Sequence, residues 1–438
     1  MEEDIRVRDV SPLSITKTSE RVASRLEEAI EEASKRTQQE SANDEELRRA
    51  LSVVEAFIKR KKRVCYGGTA MNAIMPDAKK FYDPKYDLPD YDFYTPFVEQ
   101  DIKELVADLE KAGFKDIYHK VGIHKGTKKV LVNFVPIADI SAINEELFNV
   151  LLKRSVLIDG VHYTDDIVLR MMMYLELSRP KGDVLRWKKV FERLELINEN
   201  FPIKACKYEK KGGQAHIQLS HRESILEYII QWQRILCNGP IIPLYTHGIR
   251  KHDAVFKIQD GGPILFTSPD PRVDSLALKK ILGSKVALYR HKERGEIVPE
   301  RIEIREGPTV LCMIMKETAC HSFVNVPVSD GRVIYIGSLE FLISLYISLL
   351  IFTTNPEAIL GSRILCSVKQ FIKLANENYG AQGSQFQPFS LQCRGHQVRF
   401  QSLLRAKFLR VQEERAKGPG TARRRKTAKR KTKRKHSV

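Results

Sequence analysis

Two aspartates separated by one residue, in Asp90-Tyr-Asp92-Phe-Tyr94, are the first residues whose types and spacing could do chemistry. In a strand, alternation puts both carboxylates on one face and packs Tyr91 and Phe93 behind it. Acids so placed repel, and one is protonated or salt-bridged unless a divalent cation sits between them. A pair of Mg²⁺ about 3.5–4 Å apart would use them to activate a hydroxyl and steady a leaving pyrophosphate. The other reading is a solvated pair at a strand edge. Upstream, Tyr66-Gly67-Gly68-Thr69 ends the β-favouring run Arg63–Tyr66 and opens a helical one, Ala70–Ile74. Glycines there let backbone amides approach a phosphate, with the helix dipole behind them. An ordinary Gly-Gly turn fits the same residues. Downstream, Asp139 lies in the apolar run Pro136–Ser141, where burial without a partner is costly. It is either a third metal ligand that helps deprotonate an attacking 3′-hydroxyl or a strand-end acid paired to a lysine.

Around these residues the pattern predicts a mixed α/β unit. Residues 1–16 read as irregular and Ser19–Glu40 as a charged helix, followed by a helix over Asp44–Arg60 with Leu51, Val54 and Phe57 along one side. A loop over Pro76–Pro89 precedes the Asp90–Tyr94 strand. A helix over Asp101–Ala112 ends at Gly113, and strands follow at Phe114–Lys120, Val130–Val135 and Ile137–Ile140. Helical spacing then dominates from Glu145 to Leu196. Thr164 or Asp165 caps one helix there, Pro180-Lys-Gly-Asp183 breaks it, and Asp183 caps the next, whose Trp187, Val190, Phe191 and Leu194 share a face. Glu199–Gly213 is loop-like and Ser220–Leu236 helical. Residues 240–335 alternate Gly/Pro turns with short β-rich runs (Ala254–Ile258, Ile297–Ile304, Thr309–Met315, Arg332–Ile336), which predicts a second mixed α/β domain. Helices over Leu339–Asn378, a Gly/Gln-rich loop and a helix near Gln397–Arg415 precede the end.

The composition sets bounds on all this. A chain of 438 residues with 42% hydrophobic and 29% charged residues supports two or three domains with full cores. That composition excludes disordered, collagenous and membrane-bundle proteins. Of the net charge of +18, twelve Lys or Arg lie between Arg415 and Val438, a stretch without an acid, so the body keeps +6 and still favours a polyanionic partner such as nucleic acid. The tail has no aromatics to stack bases, so RNA contact there would be electrostatic and sequence-blind; a nuclear-localisation or packaging signal reads equally well. Seven scattered cysteines without a CxxC pair argue against a disulfide framework or structural zinc and for free thiols in a reducing compartment. The acidic Met-Glu-Glu-Asp start has no apolar core of a secretory signal. The apolar run Val333–Phe352 is interrupted by Glu340, which leaves Phe341–Phe352, the length of a buried core helix, so no membrane partner is expected.

The order strand, Gly-Gly, helix, loop, Asp-X-Asp, strands, Asp is more specific than its parts and matches the DNA polymerase β-like nucleotidyltransferase superfamily. Tyr66-Gly-Gly-Thr-Ala-Met-Asn72, Asp90-Tyr-Asp-Phe-Tyr94, Leu169-Arg-Met-Met-Met-Tyr-Leu-Glu-Leu-Ser-Arg-Pro-Lys-Gly-Asp183 and Thr318-Ala-Cys-His-Ser322 resemble the poly(A) polymerase catalytic subunits of nucleocytoplasmic large DNA viruses, of poxvirus and giant-virus type. The resemblance spans roughly residues 50–410.

This resemblance implies template-independent addition of AMP from ATP to RNA 3′ ends with pyrophosphate release, in viral mRNA polyadenylation. Its implied architecture is an N-terminal helical region (1–60), a catalytic nucleotidyltransferase domain (61–200), a degenerate nucleotidyltransferase-like domain (201–414) and a disordered basic tail (415–438). Asp90, Asp92 and Asp139 would be the catalytic metal ligands for two divalent ions, Mg²⁺ or Mn²⁺. Gly67, Gly68 and Thr69 would hold the triphosphate. Asn72 would line the nucleotide site or serve the helix structurally, and Lys153 and Arg154 would supply a phosphate-binding cation or an exposed helical face. Met171, Met172, Tyr174, Leu175 and Leu177 read as core, with Arg179 capping that helix.

Residues 240–335 carry no comparable Gly-Gly and Asp-X-Asp set, and their nearest acids, Asp270 and Asp274, straddle Pro271, which is unsuited to a central strand. The implied partners are the RNA 3′ end, ATP and a second copy of the chain, with a processivity subunit as the alternative. The implied setting is the host-cell cytoplasm, in viral factories, and the virion. Two other functions fit: another terminal nucleotidyltransferase (CCA, uridylate or 2′-5′ addition), and a non-catalytic RNA-binding protein on this fold, against which the intact aspartates argue.

Overall fold

The structure, a computed structural model, describes residues 17–83, 85–89, 91–124, 126–203, 217–238, 263–294, 297–327, 331–353, 364–378 and 388–416. Its first half runs α1 (Lys17–Asn43), α2 (Glu45–Lys61), β1 (Val64–Cys65), α3 (Gly67–Ile74), β2 (Tyr91–Thr95), α4 (Val98–Lys111), β3 (Ile117–Val121), β4 (Thr127–Val132), β5 (Val135–Ala142), α5 (Glu145–Arg154), β6 (Val156–Ile158), β7 (Val161–Tyr163), α6 (Asp166–Leu177) and α7 (Trp187–Asn200). The second half runs α8 (Leu219–Gln231), β8 (Ile235–Leu236), β9 (Ile264–Ser268), α9 (Pro271–Leu282), β10 (Val286–His291), β11 (Arg301–Glu306), β12 (Thr309–Lys316), β13 (His321–Pro327), β14 (Val333–Gly337), α10 (Leu339–Phe352), α11 (Ile364–Asn378), β15 (Cys393–Arg394) and α12 (Phe400–Ala416).

The halves repeat one topology. The first sheet has the order β3-β4-β5-β2-β1-β7-β6, and the second β10-β11-β12-β9-β8-β14-β13-β15. Advancing each strand of the first sheet by seven places gives the second, with β15 added at its edge. The strand directions repeat too: β2–β5 and β1–β7 are parallel, as are β9–β12 and β8–β14, and the other pairs are antiparallel. Matching registers align Cys65 with Leu236 and Phe93 with Phe266. The helices correspond as well, since Asp165 caps α6 just after β7 and Ser338 caps α10 just after β14.

One ion pair shows how deep the repeat goes. Arg63 precedes β1 and grips Asp101 of α4 through two bonds of 2.7 and 2.8 Å. Arg234 precedes β8 and grips Asp274 of α9 through bonds of 2.7 and 2.9 Å. Before each arginine stands a residue in the left-handed region, Lys62 and Gln233. Asp274 is therefore a structural anion, Pro271 opens a helix rather than interrupting a strand, and Asp270 is that helix's N-cap. At Asp92 and Asp139 the repeat fails. The residues aligned with Asp92 and Asp139 are Leu265 and Met313, both fully buried, so the second half lacks this carboxylate pair.

Packing joins the halves along α6 and α10, whose apolar faces meet in a core running from Val64 and Phe148 to Phe371. α10 is buried almost all round, which bears out its reading as a core helix. Among the described residues no helix is long and apolar enough to cross a membrane. A second cluster lies under the first sheet, where Leu51, Val54 and Phe57 of α2 meet Phe93, Leu105 and Ile140.

Several expectations are corrected. The run Val130–Val135 is two strands, split by a tight turn at Asn133 and Phe134, both with positive φ. The helical stretch Glu145–Leu196 contains the β6–β7 hairpin, turned by Asp159 and Gly160. Residues 220–236 end in β8 because the chain reverses at Gln233. Asp165, not Thr164, caps α6. Asp183 makes no capping bond, since a single 3₁₀ turn separates it from α7. Free thiols throughout are also corrected: Cys320 and Cys393, 73 residues apart, form a disulfide, and Cys366 is disulfide-bonded too. The β13–β15 ladder brings the first pair together by placing Ser322 opposite Cys393. Arg415 and Ala416 belong to α12. The remainder of the basic tail, Ala254–Ile258 and the Gly/Gln-rich loop lie outside the described residues.

Candidate active site

β2 and β5 run side by side in parallel, with Asp92 opposite Asp139 and Tyr94 opposite Ser141. Residues in register share a face, and adjacent strands lie about 4.8 Å apart, so the two carboxylates are neighbours. Both are half-buried, while Phe93 and Ile140, which alternate with them, are fully buried on the opposite face. Asp90, one residue before β2, lies outside the described residues.

β1 brings the glycine turn to the same place. The Tyr66 N–H donates to the Asp92 carbonyl at 2.9 Å, which fixes where α3 begins. Gly67 has φ +74°, and a Cβ on it would lie 2.9 Å from Asp92 Oδ2, so glycine serves both the backbone and the close approach. A Cβ on Gly68 would collide with the Tyr82 hydroxyl and lie 3.1–3.2 Å from the Arg193 guanidinium. No side chain caps the start of α3, which therefore presents the first-turn amides of Gly67, Gly68 and Thr69 at a positive dipole end. Thr69 is buried there.

Two tyrosines pack against the carboxylates. The rings of Tyr66 and Tyr94 stack 4.0 Å apart, and the Tyr66 hydroxyl hydrogen-bonds Ser141 Oγ at 2.9 Å. Burial first, then the negative charge of Asp92, raises the Tyr94 phenol. Burial, Tyr94 and both aspartates raise Tyr66 despite its bond to Ser141. Both phenols therefore stay neutral.

Asp139 is ion-paired with Lys129, its register partner on β4. The lysine pairing expected of a strand-end acid is present, and the same carboxylate adjoins Asp92. Asn72 ties α3 to the following loop, its Oδ1 accepting from the backbone N–H groups of Phe81 and Tyr82 at 2.9 and 3.0 Å, rather than capping the helix. Lys153 is exposed in the last turn of α5. Arg154 bonds Asp165 at 2.6 Å, where burial raises the Asp165 carboxyl although the Val168 amide and Arg154 pull it down. Met171, Tyr174 and Leu177 are core residues as expected. Arg170 is fully buried, pairs with Asp166 one turn back in its own helix and ties α6 to α7 through Asn198 and the Phe201 carbonyl.

Sequence reasoning missed Arg193. It stacks 5.1 Å over the Phe81 ring, donates to the Tyr82 hydroxyl at 3.0 Å and stands over Gly68, a cation at the glycine turn. Its position 125 residues from Gly68 gives no local signal; only the packing of α7 reveals it.

The fit to a divalent cation follows from this geometry. Asp92 and Asp139 present hard oxygen donors on one face beside a cradle that a Cβ on Gly67 would fill. Among the described residues no group of three His, Cys, Asp or Glu side chains forms a metal cluster, and Asp90 falls outside that set.

Residues 52–183 match the family described as the poly(A) polymerase catalytic subunit. A protein of Acanthamoeba polyphaga mimivirus named for that subunit is 31% identical over 165 residues, covering 36% of this chain and 27% of its own length. One from African swine fever virus (strain Badajoz 1971 Vero-adapted) is 31% identical over 217 residues, 46% of each chain. The chain thus spans less than half the length of these curated relatives. The crystal structure of the Megavirus polyadenylate synthase superposes with a TM-score of 0.73 at 19% identity, over 94% of this chain and 86% of that one. Over residues 52–183 the chain is thus similar in sequence to poly(A) polymerase catalytic subunits such as those of the mimivirus and African swine fever virus, and over nearly its whole length it shares the fold of the Megavirus polyadenylate synthase.

Proposed function

We propose that the chain is a template-independent poly(A) polymerase that transfers AMP from ATP to an RNA 3′ end. The observation that carries this reading is the parallel register of Asp92 and Asp139 beside the Gly67 turn. Asp92 and Asp139, with Asp90, would hold two divalent ions, Mg²⁺ or Mn²⁺. When bound, these supply Lewis-acid stabilisation of the attacking and leaving oxygens. The amides of Gly67, Gly68 and Thr69 hold the triphosphate, and Arg193 neutralises its charge from above Gly68. Asp139 faces the incoming 3′-hydroxyl and draws its proton as the oxygen attacks the α-phosphorus. Lys129 balances the Asp139 charge until the cations and primer arrive. A 3′-O–P bond forms, the bond to the β-phosphate breaks, and pyrophosphate leaves.

The catalytic half is read as running to residue 200 and the degenerate half from 201 to 414. Because the polypeptide carries its own basic segment, we read it as a homodimer in the host-cell cytoplasm rather than as dependent on a processivity subunit. Sedimentation of the purified chain tests that assembly.

The test of the activity is incorporation of each of the four NTPs onto a labelled oligo(A) primer with Mg²⁺ or Mn²⁺, wild type beside Asp92→Ala. A ladder with ATP alone, absent in the variant, is the expected result. Equal use of other NTPs replaces this reading with another terminal transferase. RNA binding without extension replaces it with a binding protein.

A further inference from the structure

The face that carries Asp92 and Asp139 continues outward to the sheet edge. Opposite Asp139 on β4 stands Lys129, and opposite Lys129 on the edge strand β3 stands Lys120. Paired residues share a face, so Asp92, Asp139, Lys129 and Lys120 form one lateral row about 14 Å long at the usual strand spacing. Like charges directly opposite each other destabilise a ladder, and Asp139 offsets only Lys129. The Lys120 side chain is exposed and makes no hydrogen bond or ion pair among the described residues.

Two residues before Lys120, hence on the same face, Tyr118 stacks on Phe134 with ring centroids 5.0 Å apart and planes at 24°. Both rings are open to solvent, Tyr118 at 45% and Phe134 at 75% exposure. Phe134 sits in the β4–β5 turn at φ +66°, a conformation that bulky residues rarely adopt. Neither core packing nor backbone preference accounts for a phenylalanine there. At the other end of β3, Arg410 of α12 donates to the carbonyls of Gly122 and Ile123, and Glu414 pairs with Lys128 at 3.0 Å. In sequence, residues 417–438 follow directly, with eleven Lys or Arg and no acid.

We propose that this edge is the track along which single-stranded RNA reaches the carboxylates. Tyr118 and Phe134 form a platform on which bases upstream of the 3′ end stack, and Lys120 contacts the phosphates between the platform and Asp139. Open rings beside an unpaired cation, Lys120, are what sequence-blind recognition of a single strand requires. The row also ends where a 3′-hydroxyl has to arrive, and for that identity of the strand the proposal rests on the polymerase reading.

The experiment is fluorescence anisotropy of a 5′-labelled oligo(A) with the full chain, without ATP or metal, across a salt series. Phe134→Gly suits the turn conformation and removes the ring; with Tyr118→Leu it is expected to weaken binding about tenfold each. Lys120→Gln is expected to lower the log–log salt slope by about 0.7. With ATP and metal added, all three raise the primer KM and leave the ATP KM in place. Unchanged RNA affinity in variants that melt like wild type overturns the track, as does a wild type that does not bind RNA. Weakened binding in a protein that incorporates no AMP removes the polymerase reading instead and leaves the track standing. Unchanged RNA binding alongside competition by an acidic peptide reassigns the surface to a protein partner.

Discussion

Asp139 stands beside Asp92 in parallel register, and in the repeated fold Met313 stands beside Leu265 in the same register. One fold thus appears twice, once with carboxylates at these positions and once with buried hydrocarbon. Asp92→Asn or Asp139→Asn is expected to lower AMP incorporation more than about 100-fold, since even the partners of metal ligands are worth about 10–100-fold. The thermal midpoint changes little, because both side chains are only half-buried. Met313→Asp, by contrast, places an unpartnered acid at a fully buried position and is expected to destabilise without adding activity. Calorimetry beside the primer assay separates these outcomes, and activity surviving Asp139→Asn sinks the assignment.

Gly67 and Gly113 provide an internal comparison. Both have positive φ, +74° and +93°, but a Cβ on Gly113 meets nothing within 4 Å, while one on Gly67 meets Asp92 Oδ2. Alanine at either position costs about 1–2 kcal/mol for the left-handed backbone. Only Gly67→Ala also displaces the carboxylate, so only it is expected to lose activity beyond its loss of stability. Equal activity in the two variants removes the close approach from the account of the site.

Arg193 is expected to act on ATP rather than on primer. Arg193→Gln keeps a planar side chain over Phe81 while removing the charge above Gly68, which predicts a raised ATP KM and an unchanged primer KM. Charge-assisted contacts contribute about 1.5–3 kcal/mol, or roughly ten- to a hundredfold. Lys153→Gln and Arg154→Gln serve as comparisons. If Lys153→Gln raises the ATP KM and Arg193→Gln does not, the phosphate cation lies on α5 after all.

How much of this was legible depends on whether the signal was local. The periodicity of Leu51, Val54 and Phe57 suffices to place α2, and alternation around Asp92 places β2. Asp159-Gly160, flanked by Val156-Leu-Ile158 and Val161-His-Tyr163, is a readable hairpin signal that helical spacing on either side obscured. The turn at Asn133-Phe134 has no such signature, because phenylalanine seldom enters the left-handed region. Lys129 against Asp139 depends on the register of one hairpin, and Cys320 against Cys393 and Arg193 over Gly68 on strand pairing and helix packing across long separations. Types and spacing named the acids, but only the ladders show which side chain faces which.

The duplicated ion pair predicts duplicated energetics. The carboxylates of Asp101 and Asp274 are almost wholly buried, at 0% and 2% exposure, and each is held by both prongs of an arginine. Removing one partner of such a pair leaves a buried charge and typically costs about 3–5 kcal/mol. Arg63→Met and Arg234→Met are each expected to fall in that range by urea unfolding. Replacing both partners, as in Arg63→Met with Asp101→Leu, is expected to recover much of the loss. Failure of the double change to recover stability means that the carboxylate holds more than its arginine.

His321 gives stability a pH dependence of definite sign. Its ring stacks on Phe341 at 4.4 Å, it is 6% exposed, and burial, aided by the positive charge of Arg179, lowers its pKa from 6.5 to about 3. Between those values the unfolded chain binds a proton that the folded one refuses. The contribution is therefore fully present above about pH 6.5 and declines as pH falls towards 3. At pH 5 the loss amounts to about 2 kcal/mol, from about 1.4 kcal/mol per unit over the interval. His321→Gln removes this component while keeping a polar group at the site, so its unfolding free energy is expected to fall less between pH 7.5 and pH 5. Urea titrations of both proteins at pH 7.5, 6 and 5 measure the difference in slope. Parallel profiles mean that the imidazole takes up its proton within the folded chain.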